Sequence, residues 1–157
     1  MKKSISLFIE FLIYVSFSLL ALSYVLYYSY YVTEREKTKL EIENIISLLN
    51  EYHTILSIYR NCGICSFTFK KQLPLGSKII FLNDSNIIYA TYTSRTQYNT
   101  ESAHINISIE KRGSLFYYNI SKNTYNYIIL NNQELNFTRE LCIKTNIIFN
   151  QIFIENC

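Results

Sequence analysis

The opening stretch of this chain limits what it can fold into. From Ile5 to Val32 the only ionisable side chain other than tyrosine is Glu10. A helix needs about 20 predominantly apolar residues to cross the hydrocarbon of a bilayer, and the run from 5 to 32 is 28 residues long. Tyrosines crowd the far end at Tyr24, Tyr27, Tyr28, Tyr30 and Tyr31. An apolar ring with a polar hydroxyl suits the lipid–water boundary, so Tyr24–Tyr31 reads as an interfacial belt. Lys2 and Lys3 favour a cytoplasmic amino terminus. Three of the residues Glu34, Arg35, Glu36, Lys37 and Lys39 are also basic, so charge asymmetry alone leaves orientation open.

The run admits three readings. One is a plain signal anchor. Another is a secretory signal peptide cut after Ala21-Leu22-Ser23, a small-x-small site, although the apolar run continues nine residues beyond it. The third accounts for Glu10. A carboxylate within a bilayer costs a few kcal/mol, roughly 2.5–3.5 at the centre of a helix, unless it snorkels to the headgroups or has a partner. Ser6-Leu7-Phe8-Ile9-Glu10-Phe11-Leu12-Ile13-Tyr14-Val15 resembles the start of mature type IV pilins, especially archaeal pilin-like proteins with class III (prepilin-type) signal peptides. The resemblance covers about the first 35 residues.

The resemblance implies a leader over residues 1–5, removed by a prepilin-type peptidase at Ser4, Ile5 and Ser6. A cut between Ile5 and Ser6 makes Glu10 the fifth mature residue; a cut after Ser4 makes it the sixth. It also implies that Glu10 neutralises the amino-terminal ammonium of a neighbouring subunit and so sets the register between copies. The implied partners are copies of the chain, the membrane and an assembly machinery. The implied location is a single-pass cytoplasmic membrane protein, amino terminus inside and distal domain outside, becoming a cell-surface filament after assembly.

Residues 1–62 contain neither Gly nor Pro. After Thr33-Glu34-Arg35-Glu36-Lys37 an apolar stripe resumes at Ile42, Ile45, Ile46, Leu49, Tyr52, Leu56 and Tyr59, widened by Leu48, Ile55 and Ile58. Offsets of three and four place these on one helical face. The spacing predicts one helix over about 6–61, transmembrane over about 6–32 and a stalk over about 33–61. The alternative is two helices with a bend near Thr33–Lys37.

From Cys62 the period changes to two. Phe67 and Phe69 alternate with polar residues, as do Ile105, Ile107 and Ile109. Pro74-Leu75-Gly76-Ser77, Asn83-Asp84-Ser85-Asn86, Lys111-Arg112-Gly113-Ser114 and Lys122-Asn123-Thr124 read as turns. Seven or eight short strands divided by turns predict an antiparallel β-sandwich-like or barrel-like domain over 62–157. The fold class is therefore α+β, a long amino-terminal helix followed by an antiparallel β domain. The polar stretch Ser94–Ala103 is the longest expected loop and a candidate surface contact.

The four cysteines, Cys62, Cys65, Cys142 and Cys157, all lie beyond the apolar run, where an even set reads as two disulfides. Three pairings are possible. Cys62-Gly63-Ile64-Cys65 is also formally a CxxC redox motif, and zinc is a further alternative. Asn83, Asn106, Asn119 and Asn136 each head an Asn-x-Ser/Thr sequon and are candidate N-glycosylation sites on an extracytoplasmic domain.

Charged residues make up 17% of the chain, and the net charge of +3 is scattered. That does not resemble the clustered basic footprint of a nucleic-acid binder. Neither His53 nor His104 has neighbours at the spacing of a triad or ligand set. No Gly-rich phosphate loop or HExxH occurs. The expectation is a non-enzymatic filament subunit without cofactor or metal. The rivals are a permanently anchored surface domain that binds a cell-envelope partner and an extracytoplasmic CxxC thiol-disulfide protein.

Overall fold

A computed structural model describes residues 2–100, 102, 104–148 and 151–157, and omits the side chains of residues 2–6, 61 and 125–127. The first element is α1 (Lys2–Ile58), extended by a 3-10 turn at Tyr59–Asn61. It holds no helix-breaking residue, and 57 residues correspond to about 85 Å at 1.5 Å per residue. Eight strands follow: β1 (Ile64–Gln72), β2 (Ser77–Leu82), β3 (Ser85–Ser94), β4 (Asn106–Arg112), β5 (Leu115–Leu130), β6 (Glu134–Phe137), β7 (Glu140–Ile148) and β8 (Gln151–Asn156). The chain divides into two compact units, Met1–Lys37 and Thr38–Cys157. The packing boundary thus falls within α1. The segment expected as a stalk belongs, from Thr38 onward, to the same unit as the strands.

All eight strands join one sheet in the order β1-β7-β8-β5-β3-β2-β6, with β4 also on β5. The sheet is mostly antiparallel, as expected, and departs from that expectation where β8 pairs with the end of β5 in parallel (Ile128↔Ile152 to Leu130↔Ile154). Ile42, Ile45, Leu48, Leu49, Tyr52 and Leu56 are buried in one cluster with Phe69, Ile79, Phe81, Ile88, Tyr118, Ile120, Ile143 and Ile154. The helical stripe and the strands therefore share one core. Ile58, expected on that stripe, is 71% exposed: at about 100° per residue it falls on the far side of the helix, while Tyr59 still packs on the core.

Strand alternation follows the side-chain period of two. In β2, Ser77, Ile79 and Phe81 are buried while Lys78, Ile80 and Leu82 are partly exposed; in β3, Ile88, Ala90, Tyr92 and Ser94 are buried in the same way. The turn before β2 has Gly76 at φ 82°, with the Ser77 N–H donating to the Pro74 carbonyl (3.1 Å). That is the position where a type II turn requires positive φ.

The expected turn at Lys122-Asn123-Thr124 is instead strand. β5 runs through it, its register with β3 shifting between Ser85↔Ile128 and Ile87↔Asn123. The polar residues stay in the strand because tertiary partners satisfy them. Lys122 Nζ donates to Asn50 Oδ1 (2.7 Å), and Thr124 Oγ1 donates to the Asn86 carbonyl (3.0 Å).

The buried face also carries hydroxyls. Thr38 Oγ1 lies 2.6 Å from Ser94 Oγ and 2.7 Å from Thr96 Oγ1, and Tyr52 Oη lies 3.0 Å from Thr145 Oγ1. Burial pushes the Tyr52 phenol well above its ordinary range. Tyr92 is raised by burial and then by Glu41, and Tyr118 by burial. The fold thus holds all three protonated. Their contribution is complete below the unfolded tyrosine value of about 10 and declines above it, because only the unfolded chain then releases the protons. The urea midpoint of the strand-bearing unit, followed by circular dichroism, is expected to be lower at pH 11 than at pH 8. An unchanged midpoint would count against this burial.

Candidate functional site

Every large apolar side chain from Leu7 to Val32 is exposed, Leu7 by 67%, Phe17 by 69% and Tyr27 by 70% among them. Full burial of one such side chain contributes about 1.5–3 kcal/mol, so this surface is strongly driven out of water. Four hydroxyls along it are bonded within the helix itself. Ser16, Ser18, Ser23 and Thr33 each donate to the backbone carbonyl four residues earlier, at 2.8 Å. Such internal bonding removes hydroxyls that a hydrocarbon environment would leave unsatisfied. Among the described residues one helix is long and apolar enough to cross a membrane, with mean hydropathy 2.0 over its best window. Glu10 is exposed on it, one turn before Ile13 and Tyr14. Ile9, Leu12, Ile13, Ser16, Phe17 and Leu20 line a shallow apolar groove along the same stretch. Ser4, Ile5 and Ser6 lie within α1 by their backbone, and their side chains are outside the described residues.

The cysteines pair locally. Cys62 joins Cys65, with Cα atoms 6.0 Å apart, and Cys142 joins Cys157, with Cα atoms 5.4 Å apart. The first bond closes the junction between the 3-10 turn and β1. The second ties the residue after β8 back onto β7, where the Cys157 N–H also donates to the Cys142 carbonyl (3.2 Å). Among the described residues no group of three or more His, Cys, Asp or Glu is arranged to hold a metal ion.

Asn106, Asn119 and Asn136 are exposed, on the face of the sheet away from the core. The first two sequons lie against each other across β4 and β5, Asn106 opposite Ser121 and Ser108 opposite Asn119. Asn83 is exposed in the β2–β3 turn, but its carboxamide is engaged. Its Oδ1 accepts the Leu130 N–H (2.8 Å), and its Nδ2 donates to Asp84 Oδ2 (3.2 Å).

The Ser94–Ala103 stretch is less free than expected. Ser94 and Thr96 are buried against Thr38, and the Tyr98 N–H donates to the Tyr118 hydroxyl (2.7 Å). Glu101 and Ala103 lie outside the described residues.

A second site escaped sequence reasoning. His53 on α1, His104 before β4 and Lys122 on β5 line one groove of about 460 Å³, together with Asn106, Ser121 and Asn123. Positions 53, 104 and 122 are too far apart in sequence for any motif to link them. Lys122 itself read as a turn residue. Only the continuity of β5 brings it under α1.

Comparison with known proteins yields no matching family model, curated protein or solved structure.

Proposed function

We propose that this chain is a non-enzymatic structural subunit of a type IV pilus-like surface filament. In this reading the apolar half of α1 holds the chain in the membrane and then bundles with the same segment of other copies. Glu10 pairs with a neighbouring amino terminus exposed by leader cleavage, and the strand-bearing unit coats the filament. Asn106, Asn119 and Asn136 are the acceptors for glycan, should the coat carry any.

The observation that carries the reading is the contrast along α1. Residues Leu7–Val32 expose every apolar side chain around a single carboxylate, whereas the stripe from Ile42 to Leu56 is buried within the chain's own fold. A bundle of copies covers the first surface and gives the acid a counter-charge. In low dielectric a carboxylate and an ammonium cost less together than apart. Bundle and bilayer are similarly apolar, so hydrophobic burial alone does not drive transfer from one to the other. A machine must therefore extract the helix, and polar pairing sets the register.

The test is amino-terminal sequencing and intact mass of the chain from sheared surface fibres and from membranes. A start at Ile5 or Ser6 in fibres supports the proposal. A start at Met1 with no fibres supports a permanent anchor, and a start at Tyr24 supports ordinary secretion. Glu10→Ala is expected to abolish fibres while leaving the amount of membrane-inserted chain unchanged. Normal fibres from that variant would remove the role given to the carboxylate.

A further inference from the structure

We propose that the end of the strand-bearing unit that holds Thr38 is a docking surface for the anionic lipid headgroups of the chain's own bilayer. The inference rests on the apolar run being a membrane span and not on the filament.

Strand register gathers this surface. Thr38, the first residue of the unit, bonds to Ser94 and Thr96 at the close of β3. Ser94 pairs with Phe116, Phe116 with Lys111, and Leu115 with Arg112, so the β4–β5 turn lies at the same end. Tyr92 pairs with Ser77, which brings the β1–β2 turn there. The Leu73 N–H donates to the Arg139 carbonyl (2.9 Å), which adds the β6–β7 connection.

The charge of this end is one-sided. Arg95, Lys111, Arg112 and Arg139 are all exposed on it. The neighbouring acids are engaged within the unit. Glu41 accepts from the Tyr92 hydroxyl, Glu43 from the Tyr98 hydroxyl (3.4 Å), Glu110 pairs with Arg112 (2.8 Å) and Glu140 with Lys70 (2.9 Å). At the opposite ends of the same strands the described connections carry Arg60 and Asp84, one of each sign. Leu75 occupies the corner of the β1–β2 turn, before Gly76 at φ 82°, and is 81% exposed. An apolar tip among cations combines the two attractions that hold protein surfaces at an anionic interface. The planar guanidinium also matches phosphate oxygens bidentately.

Chain connectivity supplies the lipid. Thr38 follows Val32, the last residue of the apolar run, by six positions. Even a fully extended segment of that length reaches only about 22 Å. The connections around Thr38 are therefore tethered close to the headgroups, and contact with them is an intramolecular event at high effective concentration. Each exposed base near an anionic surface strengthens attachment about fivefold, so Arg95, Lys111 and Arg139 together contribute about a hundredfold. Salt screens this attraction.

The chain contains no tryptophan, so a single introduced indole reports its own depth. Leu75→Trp and, as a reference within the run, Leu19→Trp are placed separately in the full chain. Each is reconstituted into vesicles with brominated acyl chains, made either of phosphatidylcholine alone or of equal parts phosphatidylcholine and phosphatidylglycerol. Leu19→Trp is expected to be quenched in both. Quenching of Leu75→Trp is expected to be at least twice as strong in the anionic vesicles at low salt, and to fall to the neutral level at high salt. Arg95→Gln, Lys111→Gln and Arg139→Gln together alter exposed side chains, keep the fold and are expected to lower the Leu75→Trp signal in anionic vesicles to the neutral level. Equal quenching of Leu75→Trp in the two vesicle types, or quenching unchanged by the three glutamines, would overturn the docking surface while a quenched Leu19→Trp still upheld the span. An unquenched Leu19→Trp would overturn the membrane reading and the surface with it.

Discussion

Tyr52→Ala is expected to destabilise the strand-bearing unit by about 3–5 kcal/mol, the range for removing a large buried aromatic side chain. Tyr52 is 1% exposed and sits where the helical stripe meets three strands. Its ring lies 5.3 Å from that of Phe69, 6.0 Å from Phe81 and 6.1 Å from Phe67, all centroid to centroid and all tilted or edge-on. Alanine leaves a cavity bounded by three aromatic rings that cannot all collapse into it. It also leaves Thr145, which is fully buried, without its 3.0 Å hydroxyl partner. An unsatisfied buried hydroxyl costs about 1–3 kcal/mol. Tyr52→Phe isolates that second effect and is expected to lose only this smaller amount. The check is urea unfolding of the full chain in detergent, read by near-ultraviolet tyrosine dichroism. Since whole domains are stable by about 5–15 kcal/mol, the alanine variant should lose roughly a fifth or more of its stability. A midpoint for Tyr52→Ala within error of Tyr52→Phe would show that the ring is not the keystone of this packing.

Tyr52 also illustrates what sequence could and could not convey. Its membership of a buried helical face was legible, because Ile42, Ile45, Leu49, Tyr52 and Leu56 recur at helical spacing with no Gly or Pro between them. What covers that face was not legible. Period-two alternation says that a strand has a buried side, not whether helix or sheet lies against it. The eight strands were accordingly expected as a sandwich-like or barrel-like domain; they are hydrogen-bonded into one sheet that shares its core with the helical stripe.

The polar residues at Lys122-Asn123-Thr124 misled for the same reason. Local chemistry favoured a turn, but Asn50 and Asn86 satisfy the Lys122 ammonium and the Thr124 hydroxyl from distant positions, so the strand continues. That continuity creates the histidine–lysine groove, invisible in any window of the chain. Glu10, by contrast, was conspicuous in the sequence because it is the one carboxylate in the run from Ile5 to Val32.

Arginine at both Leu19 and Leu22 is expected to release the chain from membranes, which is the largest effect foreseen for any substitution outside the strand-bearing unit. Both side chains are exposed on α1, and both positions lie near the middle of the run from Ile5 to Val32. Each central arginine costs about 2.5–3.5 kcal/mol on insertion scales, so the pair disfavours insertion by about 5–7 kcal/mol, on the order of four to five powers of ten. Glu10 differs by depth. It lies five residues from Ile5, about 8 Å along the helix, close enough to the headgroups for its carboxylate to reach them. Insertion should therefore tolerate Glu10 and its replacement alike, but not Leu19→Arg with Leu22→Arg. Alkaline carbonate extraction of cell membranes separates the cases. Wild type and Glu10→Ala should stay in the pellet, and the double arginine variant should appear in the supernatant or be degraded. Retention of the arginine variant at wild-type level would mean that the run does not reside in hydrocarbon, and the proposed route from bilayer to filament would lose its starting point.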